Sequence, residues 1–144
     1  MGKAVALFLV IACPASAQEV GECESFRVNA RNVDWTDPTR TYAGGTVRFV
    51  SLDVGEPACC GAYLMVTLPS PEDPGDICYL IGNVEGSGYL RLSLSDARAR
   101  YDPRTGLTVR VPAAAYAPYR ESPMLIEVTV NQQTGVVTAR NEGF

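Results

Sequence analysis

Chemistry in this chain has to come from cysteines, carboxylates, tyrosines and arginines, because the sequence contains no histidine. Histidine is the commonest general base near neutral pH and the commonest metal ligand. Its absence removes Ser-His-Asp and Cys-His nucleophile systems, together with ordinary His-containing zinc and blue-copper sites. Carboxylate chemistry remains. Asp34 and Asp37 flank Trp35, and Glu72, Asp73 and Asp76 gather in a proline-rich stretch. Either group offers the oxygen ligands that Ca²⁺ takes, or two members of a glycosidase pair. Neither has the spacing of an EF-hand or an RTX repeat, and acids at solvated turns account for both groups. The expectation is no metal, no cofactor and no catalysis, with a small carboxylate-dependent hydrolase as the enzymatic alternative.

The cysteines point to structure. Cys23, Cys59, Cys60 and Cys78 lie beyond a leader segment that holds the fifth, Cys13. An even number of cysteines in an exported chain reads as disulfides, and four allow three connectivities. Neighbouring residues on a strand point to opposite faces. Cys59 and Cys60 are therefore expected to reach different partners, one bonded to Cys23 and the other to Cys78. A direct Cys59–Cys60 bridge would need Cα atoms only about 3.8 Å apart, closer than most disulfides hold theirs. No CxxC motif is present, and Cys23 and Cys78 stand alone, so redox and four-thiolate metal sites are not indicated.

Aromatic residues supply the binding candidates. Trp35 sits on one turn, and Tyr116, Tyr119 and Arg120 sit together in the stretch PAAAYAPYRESP (112–123). These residue types are enriched at recognition surfaces, and binding residues favour loops carried by a rigid scaffold. The structural alternative has Trp35 closing one end of the core and the tyrosines covering an edge.

The elements that would position these residues read as strands. Residues 23–35 begin with alternation, Phe26, Val28 and Ala30 against Arg27, Asn29 and Arg31, which predicts a half-buried strand. Residues 46–54, 63–68 and 77–81 follow as strands. The 63–68 segment is apolar on both faces and so is expected to be central. Residues 69–76 form a loop. Leu90, Leu92 and Leu94 predict an inward face over 89–95. Ser95 is placed to cap a short helical turn over 96–101. Strands at 107–111, 124–130 and 136–140 complete the chain, with 112–123 as a loop and 131–135 as a hairpin connection. About eight short strands separated by Gly and Pro turns predict an all-β fold. The expected form is an antiparallel β-sandwich, or alternatively a small β-barrel, stapled by disulfides.

Lys3, the apolar run 4–12 and the triplet Ala15-Ser16-Ala17 have the order of a secretory signal, with cleavage expected after Ala17. The domains are thus 1–17, a signal peptide, and 18–144, a single exported β domain. Val10-Ile11-Ala12-Cys13 also resembles a bacterial lipobox, so a lipid anchor at Cys13 is the alternative. Pro14 and the very short leader depart from that pattern. The leader is too short for a membrane span. Beyond it, 11 arginines face 16 acidic residues with no lysine, a balance of −5. That charge argues against nucleic acid and anionic membrane surfaces.

These readings converge on a periplasmic or secreted, non-catalytic binding or structural module of the bacterial envelope. Its expected partner is an envelope protein or a glycan. A secreted inhibitor or accessory subunit, with the 112–123 loop inserted into another protein's cleft, is the second expectation. The intact mass of the exported protein should match residues 18–144, with no cysteine alkylated before reduction. A mass starting at a lipidated Cys13 would replace the soluble reading with an anchored one.

Overall fold

Alternate positions along the strands carry the apolar side chains. Val47 and Phe49, Leu64, Val66 and Leu68, Val109 and Val111, and Ile126, Val128 and Val130 are all essentially buried. The structure is a computed structural model that describes residues 18–143; the expected signal peptide lies outside them. Ten strands are present among the described residues: β1 (Val20–Glu22), β2 (Thr39–Tyr42), β3 (Val47–Asp53), β4 (Ala62–Pro69), β5 (Asp76–Ile81), β6 (Arg91–Leu92), β7 (Arg98–Asp102), β8 (Gly106–Ala117), β9 (Arg120–Asn131) and β10 (Val136–Gly143). They form two five-stranded antiparallel sheets. The first runs β1-β5-β4-β3-β2; the second runs β10-β9-β8-β6, with β7 also paired to β8. One core cluster draws on the inner faces of both. The fold is the expected all-β sandwich, and β4 is central as its two apolar faces imply.

The two sheets are clasped where the chain crosses between them. Ala62 on β4 and Tyr89 exchange two backbone hydrogen bonds (3.0 and 2.7 Å), and the next residue, Leu90, donates to Ala114 on β8 (2.8 Å). Asp37, just before β2, accepts from the backbone N–H groups of Leu94 (2.6 Å) and Ser95 (2.9 Å). Arg40 donates to the carbonyls of the same two residues (2.9 and 2.6 Å). Both N–H groups and both carbonyls of this β6–β7 turn are thus met by charged side chains at the start of β2. Such charge-assisted bonds are about twice as strong as neutral ones.

Four sequence expectations are corrected. Residues 23–35 are not a strand. They form turns and a 3-10 turn at Ala30–Asn32, and Phe26 is 69% exposed. The reason is local competition. Ser25 accepts from Arg27 N–H, Asn29 from Arg31 N–H and Asp34 from Thr36 N–H, so the backbone is satisfied without a ladder. The 89–95 segment supplies only the two-residue β6, with Tyr89 and Leu94 buried and Leu90 exposed. Its alternation breaks because the chain changes sheets there. The helical turn over 96–101 is instead largely β7, paired with β8 from Arg98↔Arg110 to Asp102↔Gly106. A long-range ladder overrides a weak local preference.

The 112–123 loop is a fourth correction, since β8 and β9 run through it to a two-residue tip. Its prolines cost no ladder bonds. The Pro112 carbonyl accepts from Ser93 (2.9 Å), so its nitrogen faces the break between β6 and β7. Pro123 lies beyond the end of β10, whose last pair is Gly143↔Met124.

Replacing Asp37 by Ala should lower stability by roughly 2–3 kcal/mol, because it orphans two backbone donors. Asp37→Asn should lose less. Urea unfolding of both variants checks the order.

Candidate functional site

The outer face of the first sheet is apolar where it should be wet. Val50, Met65 and Leu80 lie in one cross-strand row, with Leu52 and Tyr63 in the next. Residues 23–38 cross this face as a strap. The strap is anchored at its start by the Cys23–Cys78 disulfide. Further along, the Arg27 guanidinium lies over the rings of Phe26 (4.8 Å) and Tyr63 (5.0 Å). The Asn32 amide, buried, donates to the carbonyls of Phe26 (3.2 Å) and Arg27 (3.0 Å). Val33 then bridges Leu52. Asp34 N–H takes the Ser51 carbonyl (2.9 Å), which faces Pro38 and finds no N–H there.

The strap buries Leu52 and Tyr63 but leaves the Val50 row partly open. A cleft of about 510 Å³ results, lined chiefly by Val28, Val33, Trp35, Pro38, Val50 and Met65. Its size and apolar character are those of a small-ligand site. Trp35 stands at it 73% exposed. No titratable side chain among the described residues lines the cleft, and its surface suits an apolar or ring-faced group.

Tyr116, Tyr119 and Arg120 are placed elsewhere. They occupy the β8–β9 tip, where Ala117 faces Arg120. Tyr119 is fully exposed with φ of +67°, and Tyr116 is also exposed. Trp35 belongs to the strap on the first sheet and the tyrosines to the second. The structure therefore provides two separate aromatic surfaces.

The disulfide pattern corrects the expected connectivity. Cys23 bonds to Cys78, and Cys59 bonds to Cys60. The register explains it: Glu22 faces Tyr79, which brings Cys23 opposite Cys78 with Cα atoms 5.5 Å apart. Cys59 and Cys60 precede β4 in a loop, and Cys60 has φ of +80°, so the alternation expected of a strand does not apply to them. That loop closes through Val54 N–H on the Gly61 carbonyl (3.0 Å). It packs so tightly on Gly88 that a side chain there would overlap the Cys60 and Ala62 carbonyls. Two disulfides fit an oxidising, extracytoplasmic compartment. No helix among the described residues is long and apolar enough to cross a membrane.

Three of the five acidic candidates have structural duties. Asp34 accepts from Thr36, Asp37 makes the clasp, and Asp76 pairs with Arg48 (2.7 Å). Ser70 accepts from the backbone N–H groups of Glu72 and Asp73. Among the described residues, no three Cys, Asp or Glu side chains converge as a metal site.

Sequence reasoning missed Glu127. It is only 6% exposed on the outer face of the second sheet, and accepts from Arg110 Nε (2.8 Å) and Arg140 Nη2 (2.5 Å). Burial pushes its carboxyl pKa up, but the hydrogen bonds and charges of the two arginines outweigh that and hold it below the ordinary value. The signal was present in the alternation of β8, β9 and β10, where Arg110, Glu127 and Arg140 fall on the polar side. Recognising it needed the register between strands.

No family model matches the chain, and no curated protein and no solved structure is significantly similar to it.

Peptide mapping without reduction should recover Cys23 joined to Cys78, and Cys59 and Cys60 on one peptide with no free thiol. Acid should weaken the fold through Glu127. Its ionised form stabilises the native state above the unfolded pKa of about 4.3, and that contribution is lost as pH falls through the lower folded value. Glu127→Gln should reduce stability at pH 7 and flatten the acid limb of a urea-unfolding series.

Proposed function

We propose that this protein is an exported, non-catalytic binding module whose ligand site is the cleft between the strap and the first sheet. The observation that carries the reading is Trp35, largely exposed beside an apolar cleft that contains no titratable group. An exposed indole in such a place offers a rigid aromatic face at little entropic cost. The fitting partner is an envelope protein or glycan that presents an apolar side chain or a sugar ring face. Two disulfides support work in an oxidising compartment, periplasmic or outside the cell.

A second reading, as a secreted inhibitor or accessory subunit, is favoured by the β8–β9 tip. Tyr119 projects there with its whole side chain in solvent, and Pro118 beside it limits the freedom lost on docking.

Trp35 is the only tryptophan of the chain, so its fluorescence reports the cleft directly. Partner captured from the native envelope fraction should shift that emission. Trp35→Ala should abolish capture and leave the melting temperature nearly unchanged. If Tyr116→Ala/Tyr119→Ala abolishes capture while Trp35→Ala does not, the hairpin reading replaces the cleft. Hydrolysis that disappears on Asp37→Asn or Asp73→Asn, in folded variants, would overturn both.

A further inference from the structure

We propose that the outer face of the second sheet binds a linear anionic polysaccharide, its carboxylate or sulfate groups held by Arg98, Arg100, Arg110 and Arg140. The register places these residues together. Arg98 faces Arg110, Arg110 faces Glu127 and Glu127 faces Arg140, an unbroken row across β7, β8, β9 and β10. The adjoining row is Arg100, Thr108, Thr129 and Thr138. With strands about 4.8 Å apart, each row spans roughly 14 Å, long enough for several charges of a repeating polymer.

The face carries unspent positive charge. Glu127, Glu142 and, at the end of β7, Asp102 are its carboxylates against the four guanidinium groups. Among the described residues Arg98 donates only to the carbonyls of Asp96 and Ala97. Arg100 makes no hydrogen bond or ion pair among the described residues, and the neighbouring Asp102 accepts from Arg104 N–H (2.7 Å). Arg98 and Arg110 are like charges directly opposite, an arrangement that destabilises a sheet unless an anion lies between them.

The site is also partly built. Buried Glu127 fixes Arg110 and Arg140 through Nε and Nη2, while among the described residues the Nη1 groups of both have no partner. Guanidinium groups held this way present forked donors that match carboxylate and sulfate oxygens. Two shallow depressions, of about 430 and 520 Å³, share Arg100 and Thr108 and continue one another along the face. Threonine hydroxyls in the floor suit a polyhydroxylated chain. No aromatic side chain among the described residues lines either depression, so the aromatic platforms on which single-stranded nucleic acid stacks its bases are missing there. The −5 balance of residues 18–144 does not forbid the site, because charges beyond about 8 Å are largely screened at physiological salt.

This inference does not depend on the Trp35 cleft. Calorimetric titration of residues 18–144 with polygalacturonate and with dextran sulfate should show binding that weakens steeply as salt rises. Neutral dextran should not bind. Free galacturonate and inorganic phosphate should bind far more weakly than the polymers, since single contacts lack multivalency. Arg98→Gln/Arg100→Gln should weaken polymer binding roughly tenfold or more. Arg100→Glu alone, at a side chain the fold does not use, should weaken it in the same direction, and Trp35→Ala should leave it unchanged. Absence of binding at low salt, equal binding of the arginine variants, or equal binding of neutral dextran would overturn the proposal. Duplex DNA bound as tightly as polygalacturonate would overturn the commitment to a glycan.

Discussion

Two sheets can share a core only if no backbone polar group is stranded where they meet, and in this molecule that requirement falls on the turn at Leu94 and Ser95, which joins β6 to β7 in the second sheet and lies against the start of β2 in the first. Asp37 takes both N–H groups and Arg40 takes both carbonyls. Upstream, Tyr89 is locked to Ala62 by two backbone bonds while its ring lies in the core. Its buried hydroxyl lies within reach of Gly82 O, Asn141 Oδ1 and Gln18 Oε1. One hydroxyl has one proton, so only one of these oxygens can accept from it. Turning the Gln18 amide over presents its otherwise unpartnered Nε2 to the hydroxyl as a donor. Burial of these groups costs stability unless each is paired, which makes the clasp and the Tyr89 cluster the condition for the rest of the sandwich.

The outer faces of the two sheets follow different physics. The first is apolar and is covered by a strap too polar to form a core of its own. The strap holds because a disulfide, a buried asparagine and a stacked arginine replace apolar burial. Coverage is incomplete, and the cleft beside Trp35 is what remains open. The second face is polar and charged, and a buried glutamate organises its arginines. Recognition can therefore occur on either face without disturbing the core between them.

Much of the scaffold was legible. The β-branched segment 46–54, the two-sided apolar run through Leu64 and Val66, and the pair of runs joined at Gly135 all became strands in the expected places. Trp35 and Tyr119 were picked out by residue type and are exposed. The failures share a cause. Arg27, Asn29 and Arg31 alternate with apolar residues, but nearby Ser, Asn and Asp side chains satisfy the backbone first. Leu90, Leu92 and Leu94 alternate just after the chain changes sheets between Tyr89 and Leu90, where only two residues pair as β6. Tyr116 and Pro118 suggest a loop, yet each proline nearby falls where no ladder needs its N–H. None of these outcomes is visible in a short window of sequence.

By itself the sequence determined the class of fold, the absence of histidine chemistry, the engagement of Cys23, Cys59, Cys60 and Cys78 in disulfides and the exposed aromatic residues Trp35, Tyr116 and Tyr119. Periodicity and composition carry that information because burial and turn chemistry act over a few residues. Tertiary structure alone decided which cysteines pair, which acids are consumed as structural acceptors, and which arginines stand together. Those outcomes depend on strand register. Register is set by the simultaneous packing of both sheets, and a shift of one residue would send every side chain of a strand to the opposite face.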